Sequence, residues 1–128
     1  MKLLLDTHTF LWWVEDAPQL SAPARKRIED GENECFLSMA SCWEMGIKSS
    51  IGKLKLAIPI ADYIPQHLSA NGFRLLDISF RHVAKVENLP SHHRDPFDRL
   101  LISQAITDKL DVVSADSTFN LYGINRIW

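Results

Sequence analysis

The sequence has few cysteines, no long apolar run and no signal-peptide pattern. Its two cysteines, Cys35 and Cys42, are too few for a disulfide framework and are not spaced like zinc ligands. We expect two free thiols in a reducing compartment. No stretch approaches the roughly 20 apolar residues of a membrane span, and the first apolar run stops at Asp6. The sequence therefore predicts a cytoplasmic protein with no membrane segment.

An excess of charge of either sign is also missing. The chain has 14 Lys and Arg against 16 Asp and Glu, which gives a formal net charge of −2. This balance excludes the broad basic surface of many nucleic-acid-binding proteins, so any RNA binding must depend on local arginines and metal ions. With 128 residues, of which 46% are hydrophobic, the chain is predicted to form one globular domain over residues 1–128.

Short apolar runs alternate with longer helical patterns along the chain. Strands are predicted at residues 3–5, 35–38, 73–78, 111–114 and 124–127. Helices are predicted at residues 7–14, 21–30, 40–51, 59–70, 80–86 and 96–109, with a polar loop at 89–94. This alternation predicts an α/β fold with a mostly parallel central sheet of about five strands, covered by helices on both faces.

Four acidic residues are predicted to lie at one edge of this sheet. Asp6 follows the first strand and Asp116 follows the fourth, whereas Glu44 and Asp98 lie in the first turns of helices. Four neighbouring carboxylates repel one another unless a positive charge lies between them. Mg²⁺ and Mn²⁺ take oxygen ligands and can activate water for attack on a phosphodiester. The pattern therefore predicts a divalent-metal site.

Each acid also has a structural interpretation, and the residues alone leave it open. Asp6 and Asp116 could cap the turns that follow them. Glu44 fits a capping box that begins at Ser41, in a helix whose apolar residues Ala40, Trp43, Ile47 and Ile51 share one face. Asp98 follows the helix start Asp95-Pro96, where a helix dipole favours an acid. Asp98 also shares its helix face with apolar residues, so it should face inward and need a partner.

Four segments together resemble a known family. They are Leu3–His8, Ser41–Lys48 with its continuation Gly52-Lys53-Leu54, His93–Leu101, and Ser114-Ala115-Asp116. In order and spacing they resemble the PIN-domain family and its VapC-like branch, over nearly the whole chain. The segment His93-Arg94-Asp95-Pro96-Phe97-Asp98-Arg99-Leu100-Leu101 is the most specific of the four.

The resemblance implies a three-layer α/β/α sandwich and a Mg²⁺- or Mn²⁺-dependent endoribonuclease acting on single-stranded or structured RNA. It also implies a toxin of a toxin–antitoxin pair, with a cognate antitoxin protein that blocks the site, and a homodimer. By motif position, the acidic cluster would be Asp6, Glu44, Asp98 and Asp116, of which Asp116 is the least constant in the family. Asp95 is an extra acid that the pattern of the broader family does not require, and it is predicted to be a helix N-cap rather than a metal ligand.

Five further residues are expected to support the acids or the substrate. Arg94 and Arg99 flank the most specific motif, and either could bind an RNA phosphate or restrain the acids. Lys48 could contact phosphate, although an ion pair with the acid one turn earlier is favoured. Thr7 and Ser114 could each donate a hydrogen bond to a carboxylate or to a metal-bound water.

Other functions fit the residues less well. A haloacid-dehalogenase-like phosphatase needs a second aspartate two residues after the first, where this chain has His8. A response-regulator receiver needs an aspartate that ends its third strand, whereas Asp77 lies inside the predicted one. His92 and His93 lack the further ligands of a zinc site and are predicted to belong to a polar loop. A non-catalytic α/β binding module, with the acids acting as caps, remains open.

Overall fold

Five parallel strands form the central sheet in the computed structural model, which describes residues 1–128. The strands are β1 (Lys2–Leu5), β2 (Glu34–Ser38), β3 (Arg74–Leu76), β4 (Asp111–Val113) and β5 (Arg126–Ile127). They lie in the order β3-β2-β1-β4-β5, and every pair is parallel. β1 is central, and its three leucines are fully buried because helices cover both faces of the sheet.

Six α-helices and one 3₁₀ helix surround the sheet. They are α1 (Thr7–Val14), α2 (Ala22–Glu29), α3 (Met39–Ser50), α4 (Ile60–Asn71), α5 (Phe80–Val86) and α6 (Pro96–Asp108), with the 3₁₀ helix at Ser117–Tyr122. Leu3 and Leu5 pack into one core with Phe10 of α1, whereas Leu4 packs into a second core with Leu101 of α6. Alternation along β1 thus separates two cores, and the predicted three-layer α/β/α fold is confirmed. None of the helices is both long and apolar enough to cross a membrane.

The helix boundaries follow local signals in the sequence. α1 and α5 span the predicted residues. The Ser21 hydroxyl accepts a hydrogen bond from the Ala24 amide at 3.2 Å and caps α2. Gly72 ends α4 with φ of +65°, a conformation that glycine adopts at no steric cost. The third and fifth strands are shorter than predicted, and the 3₁₀ helix was not predicted.

The predicted apolar face of α3 is largely exposed. The predicted apolar stripe leaves Trp43, Ile47 and Ile51 between 38% and 59% exposed. Glu44 faces inward instead and is 7% exposed. The helix begins earlier than the predicted capping box requires, because the hydroxyl of Ser38 caps it by accepting from the Ala40 amide at 3.0 Å. An acid therefore occupies a position where helix amphipathicity favours an apolar residue.

The sheet topology determines where a site can form. β1 pairs with β2 on one side and with β4 on the other. The chain therefore builds the sheet outward from β1 in one direction through β2 and β3, and in the other direction through β4 and β5. The carboxyl ends of β1 and β4 flank a crevice, which is where α/β sheets bind ligands. Asp6 directly follows β1, and Asp116 follows β4 after two residues.

Candidate metal centre

A polar cavity of about 230 Å³ opens at the carboxyl edge of the sheet. Its lining contains no hydrophobic residue and consists of Asp6, His8, Glu44, Lys48, Asp95, Asp98 and Asp116. The structure therefore brings together the four predicted acids, the predicted lysine and the aspartate that was predicted only as a cap. A cavity lined by five carboxylates and one lysine is a region of strong negative potential.

Asp6 joins the end of β1 to the start of α1. One carboxylate oxygen accepts from the Thr7 amide at 2.7 Å, and the other accepts from the Ser114 hydroxyl at 2.7 Å. Ser114 is fully buried and also accepts from the Asp116 amide at 3.0 Å, so one side chain links the two acids. Burial raises the pKa of Asp6 above its ordinary value despite these hydrogen bonds, and the charge of Glu44 contributes to the rise.

Glu44 is held from both sides. The Thr7 hydroxyl donates to Oε1 at 2.7 Å, and the Lys48 ammonium donates to Oε2 at 2.7 Å. Thr7 is itself buried and hydrogen-bonded to the Ser41 hydroxyl at 2.8 Å. The hydrogen bond with Glu44 raises the pKa of Lys48, which keeps this lysine charged. The predicted pairing of Lys48 with Glu44 is therefore present in the structure.

Asp98 differs from the other acids because its carboxylate has no partner. It accepts no hydrogen bond and belongs to no ion pair, although its position at the start of α6 leaves it only partly exposed. Asp95 provides the N-cap by accepting from the amides of Phe97 and Asp98 at 2.8 and 3.1 Å, as predicted. Burial, followed by the charges of Asp6 and Asp95, raises the pKa of Asp98 to about 7.

Asp116 is anchored by its neighbours. One oxygen lies 2.8 Å from Nε2 of His93, and the other accepts from the Thr118 amide at 2.9 Å. Burial alone would raise the pKa of Asp116, but the hydrogen bonds from His93 and Thr118 outweigh it and the pKa lies below its ordinary value. Ligand atoms of His93, Asp98 and Asp116 all lie within 4.8 Å of one another.

The two arginines of the most specific motif do not line the cavity. The Arg99 guanidinium donates through both terminal nitrogens to the carbonyls of Val86, Pro90 and His93 at 3.1 to 3.2 Å. The side chain of Arg99 holds the loop that precedes α6 in this structure, and it does not contact the acids. Arg94 is exposed and makes no hydrogen bond through its side chain, so it neither restrains the acids nor lies among the lining residues.

Two contributors to the site were not predicted as site residues. His93 was predicted as part of a polar loop, but its side chain is only 8% exposed and contacts Asp116. His8 is exposed in the lining of the cavity and stacks against Trp12, with ring centroids 5.6 Å apart. The available signals were the place of His93 in the most specific motif and the place of His8 two residues after the first acid.

The donor set suits a hard divalent cation. Carboxylate oxygens are the ligands that Mg²⁺ and Mn²⁺ prefer. The unpartnered carboxylate of Asp98 supports this fit, because a partly buried carboxylate whose pKa is raised to about 7 is only partly ionised near neutral pH, and a nearby cation would favour its charged form. Asp6, Glu44, Asp98 and Asp116 are the residues that could hold such an ion.

Comparison with known proteins agrees with this geometry. The model of the family described as PIN domain matches residues 3–125. The chain belongs to the PIN-domain family. This PIN domain is 30% identical over 115 residues to ribonuclease VapC22 of Mycobacterium tuberculosis, a match that covers 89% of this chain and 86% of that protein. The predicted PIN-domain membership and VapC-like resemblance are confirmed.

Solved structures share the fold of this PIN domain. A chain in the crystal structure of VapBC2 from Rickettsia felis, bound to a DNA fragment from their promoter, superimposes with a TM-score of 0.71 at 15% identity and covers 100% of both chains. A chain of VapBC-1 from nontypeable Haemophilus influenzae gives a TM-score of 0.65 at 11% identity, over 98% of this chain and 96% of the other. At these identities the likeness concerns the fold, and it agrees with the five-stranded parallel sheet.

Proposed function

We propose that this PIN domain is a Mg²⁺- or Mn²⁺-dependent endoribonuclease and the toxin of a toxin–antitoxin pair, with Asp6, Glu44, Asp98 and Asp116 as its metal-binding acids. The observation that carries the proposal is the state of Asp98. The other three acids accept hydrogen bonds that explain their positions, whereas Asp98 shares the cavity with four other carboxylates and has no partner in the protein. A helix-dipole role accounts for an acid in the first turn of α6, but it does not account for a carboxylate that lines a cavity with four other acids and has no partner.

The side chains of the protein have distinct tasks in this proposal. Thr7 and Ser114 hold Glu44 and Asp6 by hydrogen bonds of 2.7 Å, so the ligand oxygens are oriented before any ion binds. Asp98 supplies a negative charge that no hydrogen-bond donor and no ion-pair partner in the protein compensates. A bound divalent cation would offset the carboxylate repulsion, lower the pKa of an attacking water and stabilise negative charge on the phosphodiester.

A groove beside the acidic cavity offers a path for an RNA strand. It has a volume of about 630 Å³ and is lined by Thr7, His8, Leu11, Trp12, Glu15, Met45, Lys48, Lys53 and Leu54. His8 and Lys48 border both the groove and the acidic cavity. Trp12 offers an aromatic wall on which a base can stack, and Lys53 is an exposed cation without a carboxylate partner. These features suit a single strand whose backbone passes the acids.

The proposed partners follow from the similarity to ribonuclease VapC22 and from surface features. A cognate antitoxin protein would block the site, for which the same groove is large enough to accept a protein segment. A second copy of the chain would cover exposed apolar side chains such as Trp43 and Ile51, which are 57% and 59% exposed. An RNA substrate and two unpaired cysteines fit a cytoplasmic protein.

The test is RNA cleavage by the purified, antitoxin-free protein. A panel of structured and unstructured RNAs would be incubated with Mn²⁺, with Mg²⁺ or with EDTA. Asp98→Asn removes the charge of the unpartnered acid and keeps its size. Asp62→Asn is the matched control, because Asp62 is also a first-turn helical aspartate but is exposed and lies outside the cavity.

We expect cleavage that requires the metal, is lost in Asp98→Asn and persists in Asp62→Asn, with all three proteins folded. The loss should be at least a hundredfold, because the variant lacks charge needed to hold the ion in the transition state. Failure of the wild-type protein to cleave any RNA, together with no heat of Mn²⁺ binding in calorimetry, would contradict the proposal and return the acids to structural roles.

A further inference from the structure

The imidazole of His93 is fixed on both of its nitrogens. Nε2 lies 2.8 Å from a carboxylate oxygen of Asp116, and Nδ1 lies 3.1 Å from the hydroxyl of Tyr122. The ring also stacks on Tyr122 with centroids 5.5 Å apart and leans on Phe119 at 5.2 Å. His93 does not line the acidic cavity, so it contacts Asp116 from the protein side.

The hydrogen-bond partners define the direction of this chain of contacts. An ionised carboxylate only accepts, so the Nε2 of His93 must carry the proton that is donated to Asp116. A neutral ring then has an acceptor at Nδ1, which the Tyr122 hydroxyl satisfies by donating. The oxygen of Tyr122 in turn accepts from the His92 amide at 3.1 Å. Every polar atom in this chain of contacts has a partner.

The same turn of α6 anchors the loop that carries His93. Arg99 directly follows Asp98, and its guanidinium donates to the His93 carbonyl at 3.2 Å and to the Pro90 carbonyl at 3.1 Å. One turn of helix thus presents Asp98 to the cavity and fixes the backbone of the residue that contacts Asp116. The separation between these two acids depends on Arg99 and His93.

We propose that His93 is a positioning residue of the metal centre, which holds Asp116 as a ligand directed toward Asp98 while remaining outside the coordination sphere. The inference rests on the proposed function, because it assumes that Asp98 and Asp116 share an ion. A histidine that donates to a metal-binding carboxylate orients the ligand, and loss of such supporting contacts typically costs about 10- to 100-fold in metal affinity.

The test compares two amides at position 93 by Mn²⁺ calorimetry on the RNA-free, full-length protein. Glutamine can place an N–H near the position of Nε2 and donate to Asp116, whereas asparagine is too short to reach it. We expect His93→Asn to weaken Mn²⁺ binding about tenfold and His93→Gln to recover most of that loss. His92→Asn is the matched control, because the exposed His92 side chain makes no hydrogen bond, and it should bind Mn²⁺ like the wild type.

A second comparison separates positioning from loss of fold. Asp116→Asn should weaken Mn²⁺ binding by itself, and His93→Asn should add little to that loss, because His93 acts only through the carboxylate that Asp116→Asn removes. Thermal unfolding with EDTA establishes that each variant is folded before its affinity is compared. Equal Mn²⁺ affinity of His93→Asn and wild type would overturn the inference and leave the proposed function intact.

Pulsed electron paramagnetic resonance of the Mn²⁺-loaded protein tests direct ligation. We expect no strong nitrogen coupling in the wild type, since all proposed ligands are oxygens. A nitrogen coupling that disappears in His93→Gln would show that His93 binds the ion directly, and the positioning role would be wrong. If the wild-type protein binds Mn²⁺ no better than Asp98→Asn does, the proposed function itself fails and the inference fails with it.

Discussion

Two acids on opposite sides of one cavity are held in contrasting ways. Asp116, on the β4 side, accepts hydrogen bonds from His93 and from the Thr118 amide, and its pKa is lowered. Asp98, on the α6 side, accepts none, and burial raises its pKa to about 7. The hydrogen bonds favour the charged form of Asp116, whereas burial and the neighbouring acids disfavour the charged form of Asp98.

The contrast has a thermodynamic consequence. A satisfied carboxylate stabilises the fold, whereas a buried carboxylate without a partner destabilises it whenever it is ionised. Natural proteins retain such destabilising groups mainly at functional sites. Ionised Asp98 on the α6 side therefore lowers the free energy of unfolding, whereas Asp116 on the β4 side does not. A bound cation would offset the loss at Asp98.

The largest effect is expected from breaking the anchor that sets the distance between the two sides. Arg99→Met should lower the free energy of unfolding by about 2–3 kcal/mol, because the carbonyls of Val86, Pro90 and His93 lose a charged donor. Arg94→Met is the control and should change stability by less than about 0.5 kcal/mol, since Arg94 is exposed. Urea unfolding with EDTA present measures both. Equal, small losses would contradict the structural role of Arg99.

An intermediate effect of opposite sign is expected at Asp98. In metal-free protein at pH 7.5, Asp98→Asn should raise the free energy of unfolding by about 1–2 kcal/mol after allowance for solvent screening. Asp116→Asn should instead lower it by about 0.5–1 kcal/mol, because an amide is a poorer acceptor than an ionised carboxylate. Urea unfolding of the three proteins in EDTA gives both differences.

The sign of the pH dependence follows from the raised pKa. Between about pH 4 and pH 7 the folded protein keeps a proton on Asp98 that the unfolded chain has lost, so stability falls as the pH rises through this range. Asp98→Asn should have a flatter profile over the same window. Parallel profiles for wild type and variant would show that Asp98 is not the destabilised group.

The topology made most of the site predictable from sequence. A parallel sheet gathers the residues that follow its strands at one edge, so Asp6 and Asp116 were placed together without any knowledge of contacts. Asp95-Pro96 is a strong local signal for a helix start, and it placed Asp98 in the first turn of that helix. The start of this helix could be predicted by a local rule, because it depends only on residues that are neighbours in the chain.

The features of the site that were not predicted depend on contacts between residues that are far apart in the chain. Nothing local indicates that Arg99 turns toward carbonyls of the preceding loop, since a long flexible side chain has several polar surfaces within reach. The inward orientation of Glu44 depends on its hydrogen bond with Thr7, which lies 37 residues away in the chain. The role of His93 depends on Tyr122, which lies 29 residues away in a 3₁₀ helix that the pattern did not predict.

The smallest effects on stability are expected at the two lysines beside the open side of the cavity. Lys48 is 39% exposed and pairs with Glu44 in an i,i+4 arrangement, so Lys48→Gln should lower the free energy of unfolding by only about 0.5 kcal/mol. Lys53 has no carboxylate partner, and Lys53→Gln should lower it by less. Urea unfolding measures both values.

The effect of substitution on RNA binding should be larger at Lys53 than at Lys48, which is the opposite of the order expected for stability. Lys48 is already neutralised by Glu44, whereas Lys53 is free to contact phosphate along the groove. In an Asp98→Asn background, which prevents cleavage, Lys53→Gln should weaken binding a few-fold and reduce the salt dependence by about one phosphate contact. Fluorescence anisotropy at several salt concentrations measures both quantities. If Lys48→Gln has the larger effect, the ion pair with Glu44 must open when RNA binds, and the substrate backbone must lie closer to the acids than the groove alone indicates.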